Sequence, residues 1–205
     1  MEIIETFKTP VARFVLDEDV KKIAAFAQTW RKTHPSVRMT NKGGYQSPAL
    51  PLNLPIFKSL RQEAKRCFNE FREMFYYTSM FEIANMWLNI NPPKTYNAPH
   101  IHPFSCLSSA FYIKTPKKSG NLVFHNDIPI TSFLKAEYIT DHGWYNSTDW
   151  VLPMKENYFY VFPPWLRHSV ESNESKEDRI SISMNAKEWI IKDKQAIRKE
   201  LISAK

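Results

Sequence analysis

The feature of this sequence most able to do chemistry is a pair of histidines, His100 and His102, that stand one residue apart between two prolines. In a β-strand, side chains two residues apart point to the same face of the sheet. Both imidazoles could therefore chelate one metal ion. A polar loop ahead of a strand would give the same spacing, so the pair alone leaves both interpretations open.

A third histidine and an arginine further along the chain extend the pattern. His168 follows the apolar run NYFYVFPP, and Arg179 opens the alternating segment RISISMN. A mononuclear Fe(II) centre needs protein ligands on one face of an octahedron and open positions opposite, and His168 would complete such a set. A guanidinium binds a carboxylate through two parallel hydrogen bonds, so Arg179, with Ser181 on the same strand face, could bind a 2-oxo acid. A rim histidine and an ordinary surface arginine remain the alternatives.

The elements that must position these residues follow from the hydrophobic pattern. Residues 1–77 are predicted to be mainly helical after a short initial strand, with Asp17 capping a first helix and a second helix from Ile56 to about Phe75. Residues 78–186 contain short runs rich in β-branched and aromatic residues, which predict a β-sandwich or barrel. Residues 187–205 are predicted to form a C-terminal helix. One domain of 205 residues is expected, with Trp87 and Trp165 in its core.

Composition and charge indicate which partners and which compartment the protein is expected to have. The net charge of +7 is compatible with an anionic substrate or with nucleic acid, although a solvated basic face explains it more simply. The two cysteines form no disulfide framework, which predicts a reduced, cytoplasmic protein, or one in the host cytoplasm if the source is viral. No segment is long and apolar enough for a membrane span, so no membrane partner is expected.

Taken in order, these motifs resemble those of the 2-oxoglutarate/Fe(II)-dependent dioxygenase superfamily. They are most similar to a branch of small proteins common in phages and marine bacteria. The resemblance covers roughly residues 40 to 186. It rests on the segments Trp87-Leu88-Asn89, His100-Ile101-His102-Pro103, Ser108-Ser109-Ala110-Phe111-Tyr112, Phe162-Pro163-Pro164-Trp165-Leu166-Arg167-His168 and Arg179-Ile180-Ser181-Ile182-Ser183-Met184-Asn185.

The resemblance implies a fold, an activity and cofactors. The fold is a double-stranded β-helix, a cupin-like jelly-roll, with helices packed on the larger sheet. The activity is hydroxylation of an unidentified substrate with Fe(II), 2-oxoglutarate and O₂, giving succinate and CO₂. His100, His102 and His168 would bind the metal. Arg179, Ser181 and Tyr112 would bind 2-oxoglutarate.

The chain departs from the wider superfamily at His102, where most members have Asp or Glu. Three neutral imidazoles would leave an Fe(II) site with a formal charge near +2, compared with +1 for a site with one carboxylate. Asp127 is the alternative third ligand. The departure also keeps open a non-catalytic or zinc-filled β-scaffold, including one that binds nucleic acid.

The substrate is not defined by the sequence, and neither is the oligomeric state. A protein side chain, a nucleobase and a small molecule are all compatible with the motifs. The segment from Ile128 to Asp149 is a candidate substrate lid, because it lies between strands. Asn89, Asn97 and Trp144 are candidate contacts to the substrate or to 2-oxoglutarate.

Overall fold

Two helices precede most of the strands in the computed structural model, which describes residues 1–2, 8–127, 141, 143 and 146–189. Helix α1 runs over Val20–Thr33 and helix α2 over Lys58–Arg72. Short 3₁₀ turns at Pro55–Phe57 and Glu73–Phe75 flank α2. No helix among the described residues is long and apolar enough to cross a membrane.

Eleven strands in the described part of the chain form two antiparallel sheets that face each other. The strands are β1 (Ala12–Val15), β2 (Asn41–Lys42), β3 (Tyr45–Gln46), β4 (Phe81–Asn91), β5 (Tyr96–His100), β6 (Leu107–Lys114), β7 (Leu122–His125), β8 (Asp149–Leu152), β9 (Tyr158–Phe162), β10 (His168–Val170) and β11 (Arg179–Glu188). The larger sheet has the order β1-β9-β6-β11-β4-β3, and the smaller sheet β2-β5-β10-β7-β8. This is the predicted jelly-roll.

Alternation along the central strands of the larger sheet separates a helix-covered face from an inner face. Ile180, Ile182 and Met184 of β11 are buried in the same apolar core as Leu60 and Phe68 of α2. Because strand side chains alternate, Arg179, Ser181, Ser183 and Asn185 point the other way, toward the smaller sheet. The helices therefore pack on the larger sheet, as predicted. The polar side chains of β11 lie on its other face, between the two sheets.

A second, smaller apolar cluster closes the space between the sheets. It joins Tyr112, Tyr160 and Phe162 of the larger sheet to Leu122 and Phe124 of the smaller one. Rings in this cluster meet edge to face, as Phe124 and Phe162 do with centroids 5.1 Å apart. The polar interior residues lie next to this cluster, between the two sheets.

Several predicted elements differ from the structure. Asp19, rather than Asp17, caps α1 by accepting a hydrogen bond from Lys22 N at 3.0 Å, because the helix begins at Val20 and Asp17 lies too far upstream. The region 1–77 contains the predicted initial strand, β1, but also strands β2 and β3, which were not predicted. At the other end, β11 continues through residues 187 and 188. The rest of the predicted C-terminal helix lies outside the described residues.

Candidate active site

Three histidines from two neighbouring strands and one loop converge between the sheets. His168 begins β10 and lies opposite His100, the last residue of β5, in an antiparallel pairing. His102 follows two residues after the end of β5. One ligand nitrogen from each of the three imidazoles lies within 4.8 Å of the others, which is close enough for one metal ion to bind all three.

The loop position of His102 corrects the assumption that it shares a strand with His100. Strand β5 ends at His100, and the amide of His102 donates instead to the carbonyl of Pro164 at 2.8 Å. This bond ties the segment after β5 to the loop that leads into His168. The inward alternation therefore continues past the strand end, with Ile101 exposed and His102 buried.

The hydrogen bonds of the three rings orient one nitrogen of each toward the others. The Nδ1 atoms of His100 and His168 lie 2.8 and 2.9 Å from the carbonyl oxygens of Ala98 and Leu166. The Nδ1 atom of His102 lies 2.6 Å from Oδ1 of Asn185. Because each partner is an acceptor, each Nδ1 carries the proton, and each Nε2 keeps the lone pair that a metal ligand needs.

Burial keeps the three rings neutral. Desolvation lowers the pKa of His100, lowers that of His102 to about 4 and lowers that of His168 well below its ordinary value. Burial opposes the charged form of an imidazole because the surroundings solvate the cation poorly. Neutral imidazole is the form that binds a metal, so the cluster is ready for one at neutral pH.

A buried arginine and a buried tyrosine lie on the larger sheet beside the histidines. Arg179 is 1% exposed, and its Nη1 donates to the carbonyls of Glu171, at 2.9 Å, and of Ser119. Its Nη2 and the hydroxyl of Tyr112 are both buried without a hydrogen-bond partner among the described residues. Unpaired buried polar atoms are costly, which indicates that a polar ligand belongs there.

Burial also shapes the electrostatics of this pair. Desolvation lowers the pKa of Arg179 to about 10, so the guanidinium stays charged at neutral pH. Desolvation raises the pKa of Tyr112, and the nearby guanidinium partly opposes that rise. The unpaired Nη2 of a cation and a neutral hydroxyl donor are groups to which one carboxylate could bind.

One cavity joins the histidines to two of the three residues predicted to hold the cosubstrate. It is lined by the three histidines and by Tyr112, Ser181, Asn89 and Asn97, together with Thr40, Trp87, Ser109, Ala110, Leu122, Phe162, Val170 and Ser183. Ser181 pairs with Tyr112 across strands β11 and β6. The two asparagines are linked, since Asn97 Nδ2 donates to Asn89 Oδ1 at 3.4 Å. Arg179 does not line this cavity, but its guanidinium lies near the Tyr112 hydroxyl.

Asp127 does not join the cluster. Its carboxylate accepts a hydrogen bond from Arg167 Nε at 2.5 Å, in a largely exposed ion pair. Trp144 and most of the candidate lid lie outside the described residues.

The residues present fit an iron ion with a bound 2-oxo acid. Three imidazole nitrogens are a donor set that iron accepts. The unpaired Arg179 Nη2 and Tyr112 hydroxyl are donors of the kind that a carboxylate of the 2-oxo acid would need.

Two site residues were missed by sequence reasoning. Asn185 accepts from His102, and it has the same strand parity as Arg179, so extending the period-two pattern along β11 would have found it. Trp87 was expected in the core, but it lines the cavity with its ring centroid 5.6 Å from that of His102. Trp165, also expected in the core, is 59% exposed.

Comparison with known proteins agrees with this geometry. A family model described as "Putative 2OG-Fe(II) oxygenase" matches residues 85–185, the segment that carries the three histidines and Arg179. No protein of curated function matches the chain in sequence.

Solved structures with the same fold share little sequence with the chain. A prolyl-4-hydroxylase from Pseudomonas putida is 13% identical with a TM-score of 0.63, covering 89% of this chain and 94% of its own. HygX from Streptomyces hygroscopicus, with nickel and 2-oxoglutarate bound, is 10% identical with a TM-score of 0.59, covering 87% and 82%. The viral collagen prolyl hydroxylase of Paramecium bursaria Chlorella virus-1, in complex with 2-oxoglutarate, is 10% identical with a TM-score of 0.57, covering 86% and 94%.

Residues 85–185 therefore match a 2OG-Fe(II) oxygenase family model, and the fold is the one that these solved oxygenases have.

Proposed function

We propose that the protein is a dioxygenase that uses Fe(II), 2-oxoglutarate and O₂ to hydroxylate a C–H bond of its substrate, with succinate and CO₂ as co-products. The observation that carries the proposal is the convergence of three histidines beside a buried pair of groups with unpaired atoms. The three imidazoles each offer a ligand nitrogen within 4.8 Å of the others, in a cavity that Tyr112 also lines, and the guanidinium of Arg179 lies near the Tyr112 hydroxyl.

His100, His102 and His168 are proposed to hold the iron through Nε2. Bound iron would supply the oxidative decarboxylation of 2-oxoglutarate and the oxidation of the substrate. The chain's own part is positioning. Acceptors at Ala98 O, Asn185 Oδ1 and Leu166 O fix the ring orientations, so that all three lone pairs stay directed inward before any metal binds.

Arg179 and Tyr112 are proposed to hold the distal carboxylate of 2-oxoglutarate. Two backbone carbonyls already occupy Nη1 of Arg179, which leaves Nη2 for the ligand. The tyrosine hydroxyl would donate to the same carboxylate, and Ser181 has the strand parity to add a third donor. This receptor fixes where the 2-oxo acid lies relative to the histidines.

The three-histidine ligand set changes the charge of the site. With neutral imidazoles alone, the protein ligands do not compensate the two positive charges of Fe(II). Arg179 adds a further positive charge. The dianionic 2-oxoglutarate is therefore the main group that would neutralise the positive charge of the site. We expect 2-oxoglutarate and Fe(II) to bind cooperatively.

A structural zinc site is less well supported by the same geometry. Structural zinc takes four protein ligands, whereas the histidine cluster of the described residues supplies three. A zinc scaffold also gives no role to the unpaired groups of Arg179 and Tyr112.

The substrate is proposed to be a protein side chain or a small molecule. Proteins that share the fold include the prolyl-4-hydroxylase and the epimerase SnoN from nogalamycin biosynthesis, whose structure contains nogalamycin RO. Asn89 and Asn97 line the cavity and are proposed contacts to the substrate or cosubstrate.

We also propose that the protein belongs to the branch found in phages and marine bacteria, which the motif set supports. A single-domain organisation is proposed from the chain length, and a cytoplasmic location from the two cysteines. Both cysteines are free, consistent with a reducing compartment.

The test is succinate formation. Protein loaded anaerobically with Fe(II) and 2-oxoglutarate is exposed to O₂, and succinate is quantified with the His168→Ala variant as control. We expect the wild type to form succinate even without added substrate, at a slow uncoupled rate, and the variant to form none. Equal amounts from both proteins would contradict the proposal.

A further inference from the structure

A chain of hydrogen bonds leads from His102 to the protein surface. Asn185 Oδ1 accepts from His102 Nδ1 at 2.6 Å and from Ser108 Oγ at 2.9 Å. Asn185 Nδ2 donates to Asn85 Oδ1 at 3.1 Å, across the β11–β4 pairing. His102, Ser108 and Asn185 are buried, whereas Asn85 is exposed.

The direction of this chain fixes the tautomer of His102. In this arrangement the amide oxygen of Asn185 faces His102, and its nitrogen donates to Asn85. With an acceptor at Nδ1, His102 donates from that nitrogen, which leaves Nε2 without a proton and free to bind metal. The corresponding rings of His100 and His168 use backbone carbonyls, so His102 alone of the three depends on a side chain for its orientation.

The same oxygen favours histidine at position 102 over a carboxylate. With the Asn185 amide oriented as it is, an aspartate at position 102 would place an acceptor against Oδ1, whereas a neutral imidazole donates to it. The departure from the superfamily pattern at His102 thus coincides with a neighbour suited to a neutral imidazole.

We infer that Asn185 is a positioning residue that holds His102 as an Nε2 metal ligand and makes this a site built for three histidines. The inference rests on the proposed function, because it needs His102 to bind metal. It assigns to Asn185 an effect on metal affinity that its place in the β-sheet would not by itself produce.

Two substitutions at this position should act in opposite directions. Asn185→Leu removes the acceptor and frees the ring of His102, so we expect it to weaken metal binding by about 10- to 100-fold. Asn185→Asp keeps the acceptor and adds negative charge, which makes the imidazole a stronger donor. We expect it to tighten binding by about three- to tenfold. A role in folding alone would not give opposite signs.

The experiment measures Co(II) affinity by competition with a chelator, together with the visible absorption of bound Co(II). Asn85→Asp is the matched control. It adds the same charge at the exposed end of the hydrogen-bond series and keeps an acceptor for Asn185 Nδ2. We expect its affinity to stay within about twofold of the wild type. His168→Ala tests the ligand set itself.

Each outcome separates the inference from the proposed function. Co(II) binding by the wild type that is unchanged in Asn185→Leu, or weakened equally in Asn185→Leu and Asn185→Asp, overturns the inference. Should the leucine variant not fold, Asn185→Asp must still bind more tightly than Asn85→Asp, and equal affinities overturn the inference. No binding by the wild type, or equal binding by His168→Ala, overturns the proposed function instead.

Discussion

The guanidinium of Arg179 lies close enough to the hydroxyl of Tyr112 to oppose part of the rise in the tyrosine pKa that burial causes. Each of the two groups has a buried polar atom without a protein partner among the described residues. Unpaired buried donors cost free energy unless a ligand satisfies them. This is why the pair is proposed to bind a carboxylate of 2-oxoglutarate.

Removing the cation should strongly weaken cosubstrate binding. Loss of one partner from a buried, hydrogen-bonded charge pair costs about 2–5 kcal/mol, so Arg179→Ala should weaken 2-oxoglutarate binding by at least about 30-fold. Equilibrium dialysis against metal-loaded protein measures this. Arg167→Ala is the control, because that arginine is exposed and paired with Asp127. Equal affinities of the two variants would contradict the assignment.

Removing the tyrosine hydroxyl should have a smaller effect. A hydrogen bond to a charged group contributes about 1.5–3 kcal/mol, so Tyr112→Phe should weaken 2-oxoglutarate binding by at least about tenfold. Metal affinity should not change, since the hydroxyl is not a ligand. The variant also removes an unpaired buried donor, so the free energy of unfolding of the apo protein should stay equal or rise. A loss of stability together with unchanged affinity would show that the hydroxyl has a structural role only.

Gly120 should control the same receptor indirectly. It has φ +91°, and a Cβ there would lie 2.8 Å from the carbonyl oxygen of Glu171, which accepts from Arg179. Gly120→Ala would push this carbonyl away and loosen the guanidinium. We expect weaker 2-oxoglutarate binding, by about five- to a hundredfold for a strain of about 1–3 kcal/mol, with unchanged metal affinity.

The matched control for this prediction is Gly43→Ala. Gly43 also has positive φ, +79°, but a Cβ there would meet only the side chain of Thr95. Its backbone strain is comparable, and its neighbours do not contact Arg179. Comparable loss of 2-oxoglutarate affinity in both variants would show a general effect of instability.

Asp127 should not contribute to metal binding. Its carboxylate pairs with Arg167 outside the histidine cluster, so Asp127→Asn should bind Co(II) as the wild type does. His102→Ala should bind at least about tenfold more weakly, because it removes a ligand. The reverse order of affinities would restore Asp127 as the third ligand.

Acid should destabilise the metal-free protein through its buried histidines. The folded pKa of His102 is about 4, below its ordinary value of 6.5, so the unfolded chain binds more protons between these values. Stability is then present above pH 6.5 and is lost as the pH falls toward 4. His102 alone should cost about 2 kcal/mol between pH 7 and pH 5. Urea unfolding with a chelator present measures this, and His102→Gln should reduce the loss by that amount.

Much of the barrel was predictable because its pattern is local. Alternation of Ile180 and Ile182 with Arg179 and Ser181 defines the two faces of β11 without knowledge of its neighbours. The short strands β2, β3 and β10 were not predictable, because two or three residues carry no measurable period. They form only where longer strands supply a hydrogen-bonding edge.

The site was predictable in its residue types but not in its connections. Histidine and arginine spacing indicated the metal and carboxylate groups. The bond from His102 N to Pro164 O, and the contact of His102 with Asn185, join residues far apart in sequence. Such contacts depend on the closure of the two sheets, which no local pattern encodes.

Three histidines and Arg179 are proposed to make one site for iron and 2-oxoglutarate. Anaerobic calorimetric titration of 2-oxoglutarate into the apo protein and into the Fe(II)-loaded protein tests this. We expect one 2-oxoglutarate per chain, bound much more tightly with Fe(II) present, and loss of this tight binding in His168→Ala and in Arg179→Ala. An Fe(II)-loaded wild type that binds no 2-oxoglutarate would show that the proposed site does not exist.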